Sequence, residues 1–226
     1  MKALLIAAAI ALPFIFAIAV GVGNLLFMKR NEKPYSFLRY FPFELIPLNS
    51  PQRALGYFSI IFYALVNAGL PFLALFLKDQ YTNIYGLIVF LGVLNVVKEA
   101  AMVGLFFVPA YHFKPHLILT VAYFCAGLLF ASVTSILFAN LNVFQSVYSV
   151  SFLVCEVVLG VILLGLLLNP RLARWTELKS VMEEDGSMST YRPKPFVLAF
   201  SQWLAIALDC LMVVLYLLGL FFFSIL

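Results

Sequence analysis

The chain has 226 residues, 65% of them hydrophobic and 11% charged, with a formal net charge of +4 and a mean hydropathy of +1.08. A soluble domain carries about 45–50% apolar and about 25% charged residues, and no soluble fold of this size has a core able to hide so much apolar side chain. Composition therefore excludes a soluble enzyme, a disordered chain and a nucleic-acid-binding domain, and leaves a protein dissolved in lipid.

Spanning a bilayer as helix takes about 20 apolar residues, and six stretches qualify: Ala3–Phe27, Leu55–Leu77, Ile84–Val108, Leu117–Ala139, Val147–Leu168 and Phe196–Leu226. Backbone polar groups in hydrocarbon must bond internally, which selects helix; the alternation of a barrel strand is absent. The expected fold class is an all-α integral membrane protein, one polytopic six-helix bundle over residues 1–226. The first stretch begins with Lys2, and Ala17-Ile18-Ala19 looks like a signal cleavage site. Its apolar run continues to Phe27 before Lys29-Arg30, long enough to span, so we expect it to be retained.

Lys and Arg set the orientation. The first, third and fifth connections carry eleven of them, the opposite side only Lys2 and Lys78. Both termini are expected on the non-cytoplasmic side of a plasma or inner membrane, with the long connections 28–54 and 169–195 in the cytoplasm. Connection lengths run long, short, short, short, long, which is a mirror and gives no support for internal duplication. The three cysteines, Cys125, Cys155 and Cys210, lie in separate apolar runs and make no disulfide framework.

The first long connection holds Pro34, Pro42, Pro47 and Pro51, which argue against a long helix. It also holds Tyr35, Phe37, Tyr40, Phe41 and Phe43, and interfacial aromatics favour the headgroup level. A loop lying on the membrane surface is the expectation, with a gate or docking surface over 29–54 as the alternative. In the second long connection Asn169-Pro170 resembles a helix start, Leu172, Trp175, Leu178 and Met182 recur at helical spacing, and Gly186 offers a stop. This predicts a short amphipathic helix on the cytoplasmic surface, which could anchor the connection or meet a cytoplasmic partner over 170–195.

Four ionisable residues fall deep inside the spans: Lys98, Glu99, Glu156 and Asp209. Each costs about 2.5–3.5 kcal/mol at mid-bilayer on insertion scales, so they are expected to face one another or a wet cavity. Helical spacing puts Gly92, Asn95 and Glu99 on one face, with Lys98 at its edge; Gln145, Ser149, Glu156 and Gly160 on another; and Gln202, Asp209 and Tyr216 on a third. One lysine meets three carboxyl groups, so full ionisation leaves an excess of negative charge. A proton, a metal or substrate cation, or a basic residue from another subunit must balance it. Lys98 is expected to pair with Glu156 or Asp209, since adjacent Glu99 diverges by about 100° around the helix.

Other signals are weaker. Pro71 removes the hydrogen bond to the Asn67 carbonyl and Pro13 that to Ala9; such breaks can line sites, though most only bend helices. Ala7/Ala11, Ala17/Gly21 and Ala19/Gly23 are small pairs that permit close helix approach. His112 and His116 have metal-pair spacing, but Pro115 lies between them and is expected to open the fourth helix, leaving both in a cytoplasmic turn as weak metal candidates. Cys155-Glu156 and Asp209-Cys210 could in principle meet around a metal, but thiols in apolar runs are commonly inert. No phosphate loop, nucleophile elbow or CxxC occurs, and no cofactor is expected.

Three functions fit these features. The first is a transporter, or transporter subunit, moving a small solute or ion with coupling through the buried carboxyl groups; Lys98, Glu99, Glu156, Asp209, Asn95, Gln202 and Tyr216 are its pathway residues. The second is a non-catalytic subunit or scaffold of a larger membrane complex, with a basic partner helix balancing the carboxylates. The third is a lipid-modifying membrane enzyme, for which the acid–base groups lie too deep to reach a headgroup.

Overall fold

The structure is a computed structural model that describes residues 2–46, 51–77, 85–110, 112–141, 147–169, 179–182, 188–191 and 196–223. Six helices carry it: α1 (Lys2–Asn31), α2 (Arg53–Gly69), α3 (Tyr85–Phe107), α4 (Phe113–Asn140), α5 (Val147–Leu167) and α6 (Val197–Phe223). All six are long and apolar enough to cross a membrane, counting for α2 the 3₁₀ segment that extends it. Each helix packs on its neighbours in sequence, and α6 closes back onto α1, so the helices form a ring. The most enclosed is α6, the least α1 and α5.

The distribution of side chains is that of a protein in lipid. Lys98, Glu99, Glu156 and Asp209 are at most 2% exposed, whereas Phe14, Ile18, Leu65, Phe76 and Ile118 are about two-thirds exposed. A water-soluble chain shows the reverse.

Helix α1 passes through Pro13 and ends at Asn31, where Glu32 adopts a left-handed conformation and its N–H donates to the Met28 carbonyl, the αL stop. Helix α2 ends at Gly69, and Leu70–Leu77 continues as 3₁₀. Pro71 explains the change, because it has no N–H to give the Asn67 carbonyl. Of the small pairs, Ala19 and Gly23 face inward, while Ala7, Ala11 and Ala17 are exposed.

Two expectations are corrected. The first connection, expected as a surface loop, is partly folded into the bundle. Tyr35, Phe41, Leu45 and Ile46 are buried, and residues 35–46 plug one end of the ring. The Tyr35 hydroxyl donates to the Phe41 carbonyl at 2.6 Å and accepts from Trp203 Nε1 at 2.9 Å. Asn24 Oδ1 accepts the Tyr35 N–H, and the Leu38 carbonyl accepts the Phe196 N–H at 2.7 Å. Leu45 seats where a β-carbon on Gly23 would collide with it. The rings are drawn in because a closed ring offers its end more apolar contact than a headgroup layer does.

The second correction concerns the connection between α5 and α6. Lys179–Met182, expected as the end of an amphipathic helix, is a strand, β1, paired antiparallel with β2 (Met188–Tyr191), Lys179 opposite Tyr191 and Met182 opposite Met188. Residues 170–178, the remainder of that expected helix, lie outside the described residues. Val181, Thr190 and Tyr191 favour strand, and an isolated helix of so few turns is marginal.

Candidate functional site

The site is built at mid-depth from α2, α3, α4, α5 and α6. The Lys98 ammonium is ion-paired with Asp209 Oδ1, both side chains being at most 1% exposed, and lies 4.2 Å from the centre of the Phe130 ring on α4. Burial of this kind is tolerable only with a partner of opposite charge, and the ring adds a cation–π contact.

Asn67 ties the carboxyl groups together. Its amide nitrogen donates to Glu99 Oε1 at 2.7 Å and to Asp209 Oδ2 at 3.1 Å, so α2, α3 and α6 meet in one side chain. The Glu99 and Asp209 carboxyl groups thus share one amide donor. Tyr63, one turn before Asn67, lines the same space, and the Tyr123 hydroxyl of α4 donates to the Ala205 carbonyl of α6 at 3.4 Å.

The break at Pro71 supplies two acceptors. The Asn67 carbonyl accepts from Asn95 Nδ2 at 2.7 Å as well as from the Leu70 N–H. The Pro71 carbonyl accepts from the Tyr216 hydroxyl at 3.2 Å. Asn95 and Tyr216 thus hold the interrupted segment in place against the cluster.

Glu156 stands apart. It is fully buried on α5, and neither carboxyl oxygen has a hydrogen-bond partner among the described residues. Its backbone and stem back a groove of about 210 Å³ between α4 and α5, lined also by Ser132, Ser135, Ala131, Gly160 and apolar residues, while both carboxyl oxygens are sealed from that groove.

Gln202, seven residues before Asp209, is about 10 Å away along the helix and belongs to a second polar group. Its amide nitrogen contacts His116 Nε2 at 2.9 Å and Thr120 Oγ1 at 3.1 Å. His116 Nδ1 meets the Val108 carbonyl at 2.7 Å, which requires the proton on Nδ1 and leaves Nε2 to accept from Gln202. His116 is not in a turn. It is buried inside α4, under the edges of Phe41 and Phe43, while His112 precedes the helix and is exposed. Pro115 fits the first turn of α4, where no N–H is needed, so the helix begins two residues earlier than expected and carries His116 inward.

The histidines therefore form no metal pair, and among the described residues no group of three metal-ligating side chains occurs. Cys155 is exposed beside buried Glu156, which removes the paired-thiol site. Sequence reasoning missed Asn67 as a ligand of the carboxyl groups, and missed Tyr63, Tyr123 and Phe130. A polar residue one turn before a proline, with a tyrosine one turn before that, was a usable signal for the first two; Phe130 had none.

Comparison with known protein families, curated proteins and solved structures finds no match to this chain.

Proposed function

We propose that the protein is a transporter, or the transporting subunit of one, that exchanges a small cation for a proton through the buried carboxyl groups. The single observation that carries this reading is Glu156: a fully buried carboxyl, neither oxygen of which has a hydrogen-bond partner among the described residues, in a bundle whose one buried lysine is paired with Asp209.

Charge counting gives the mechanism. One ammonium can neutralise one of its two candidate partners. With Lys98 on Asp209, one proton held between Asp209 and Glu99 leaves Glu156 as the unbalanced carboxylate, which then holds the cation. With Lys98 on Glu156, Asp209 and Glu99 each take a proton. Passing between the two states releases one cation and binds one proton, so the membrane interior stays neutral in both. A bare charge there is too costly to populate an intermediate with neither. Phe130 offers the Lys98 ammonium a stabilising surface in the exchange between partners.

In this reading the termini face outward, the ring end plugged by residues 35–46 faces the cytoplasm, and the plug covers that approach. Purified protein in liposomes, with a pH-sensitive dye inside and an imposed proton gradient, tests it. Na⁺, K⁺ and quaternary ammonium ions make a suitable panel, because none crosses lipid as a neutral base. At least one is expected to collapse the gradient, with the rate reduced tenfold or more in Glu156→Gln and in Asp209→Asn. Wild-type rates in both variants, or no cation-dependent proton movement in the wild type, would remove the proposal.

A further inference from the structure

We propose that His116 and Gln202 form a proton-binding site beneath the plug, and that proton uptake there is linked to withdrawal of residues 35–46 from the end of the ring. This goes beyond the exchange reading and does not depend on it.

Four elements meet at the His116 ring. It is carried by α4 and is fully buried. The carbonyl of Val108, just past the end of α3, takes its Nδ1 proton at 2.7 Å, and the Gln202 amide of α6 lies 2.9 Å from its Nε2. From the plug, the Phe41 and Phe43 rings stand nearly perpendicular to it, with 5.8 and 5.9 Å between centres. Phe41 packs in turn on Phe196.

One polar atom of this group has no use in the neutral state. The Gln202 nitrogen gives one proton to His116 Nε2 and the other to Thr120 Oγ1, and the Thr120 hydroxyl donates to the His116 carbonyl at 2.8 Å. Gln202 Oε1 is buried and has no hydrogen-bond partner among the described residues, an uncommon condition for a buried amide oxygen. Half a turn of the amide about its last torsion exchanges its oxygen and nitrogen. Oε1 then faces His116 Nε2, which must carry a proton to meet it, while Nδ1 keeps its own for Val108. The pair thus has two hydrogen-bonded arrangements that differ by one proton on the imidazole. Because Oε1 is sealed, a proton is the ligand that fits without making room.

The charged arrangement does not suit the closed end. Around the ring, α3 presents a carbonyl, and α6 presents Gln202 with Asp209 two turns further on. The plug presents Phe41 and Phe43; its charged side chains are Arg39 and Glu44, and the Glu44 carboxylate accepts the Phe41 N–H at 2.8 Å. Helix α4 presents Thr120, with Tyr123 a turn beyond and Lys114 exposed at the helix start. His116 also lies in the first turn of α4, where the helix dipole opposes positive charge. A buried imidazolium without a paired carboxylate is costly, and moving Phe41 and Phe43 aside admits water to solvate it. The open end therefore binds the extra proton, so acid favours the open end and alkali the plugged one.

Trp203 reports the plug, because it bonds Tyr35 and packs on Phe37. With Trp175→Phe it is the chain's one tryptophan. Acrylamide quenching of this parent in lipid nanodiscs, from about pH 8 to about pH 5, covers the range in which an imidazole titrates. The quenching constant is expected to rise roughly threefold on acidification and to fall back on return to alkali. Nitrogen-15 spectra of the histidine-labelled chain, with His112→Asn so that His116 is alone, are expected to show an Nδ1–H imidazole at the alkaline end and an imidazolium that appears with the same midpoint. His116→Gln loses the quenching response. Gln202→Glu supplies a counter-charge, so His116 is expected to gain its proton with Trp203 still protected.

The inference is overturned if His116 stays singly protonated throughout, or if it titrates while quenching stays flat. A quenching response that survives in His116→Gln, one that does not reverse, or opening of Gln202→Glu in acid as in the parent would overturn it equally. The spectra need no substitution at the site itself, so the test stands if His116→Gln does not fold. A failed response here leaves cation exchange at Glu156 and Asp209 untouched, and failed exchange in liposomes leaves the His116 site untouched in turn.

Discussion

Lys98 is the residue on which the interior balances. Its ammonium is paired with Asp209 and rests on Phe130. Removing one member of a buried pair strands the other, at a cost of about 3–5 kcal/mol, whereas removing both is often close to neutral. Lys98→Met is therefore expected to destabilise the detergent-solubilised protein by about that amount, and Lys98→Met/Asp209→Asn to recover most of it in the same unfolding assay. No recovery would mean that Glu156 or Glu99 depends on the lysine as much as Asp209 does. At this scale the sequence was informative for Lys98, Glu99, Glu156 and Asp209, because each carries so large a penalty in hydrocarbon that burial together was the remaining option. It could not show that Asn67 bridges two carboxyl groups or that Gln202 belongs with His116. A seven-residue interval fixes a helix face but spans two turns, and which neighbouring helix meets each turn is a matter of packing.

The elements show the same division. Pro71 predicted a freed carbonyl at Asn67, and the chain uses it: α2 gives way to 3₁₀, and Asn95 and Tyr216 from two other helices bond the opened backbone. The segment also carries Phe72, whose ring occupies the space a β-carbon on Gly92 would need. Gly92→Ala is expected to cost about 1–3 kcal/mol by overpacking. Gly21→Ala, where nothing lies within 4 Å, should change stability by no more than about 1 kcal/mol, in the stabilising direction of helix propensity. Thermal unfolding of the two variants side by side checks the close approach of α3 to the 3₁₀ segment. The connections were less legible than the helices. Aromatic loops and short amphipathic runs are shaped by what they find to pack against, and several rings of the first connection found the end of the bundle where their headgroup preference had suggested a surface.

At the scale of the whole molecule, eleven Lys and Arg on one set of connections against two on the other predict the orientation. With Cys125, Cys155 and Cys210 replaced, Lys33→Cys is expected to react with a membrane-impermeant thiol reagent only from the cytoplasmic side, and Lys78→Cys only from the opposite side. Reversed labelling would invert the direction in which the plug faces. The ring arrangement adds a further point. Each helix packs on its sequence neighbours, so local contacts define the outline, while α6 must reach across to close on α1 and to deliver Asp209 to Lys98.

The amino-acid sequence alone determined the solvent, the number of helices, their approximate ends and the four charges that must avoid lipid, because each of these follows from the length of an apolar run or from the cost of a single ionised group in hydrocarbon. Only the tertiary structure decided that Asp209 rather than Glu156 holds Lys98, that Glu156 is left buried with no hydrogen-bond partner among the described residues, and that residues 35–46 close one end of the ring. Those outcomes depend on distances between helices, and such distances are set by how side chains from separate segments interlock, which no single segment specifies.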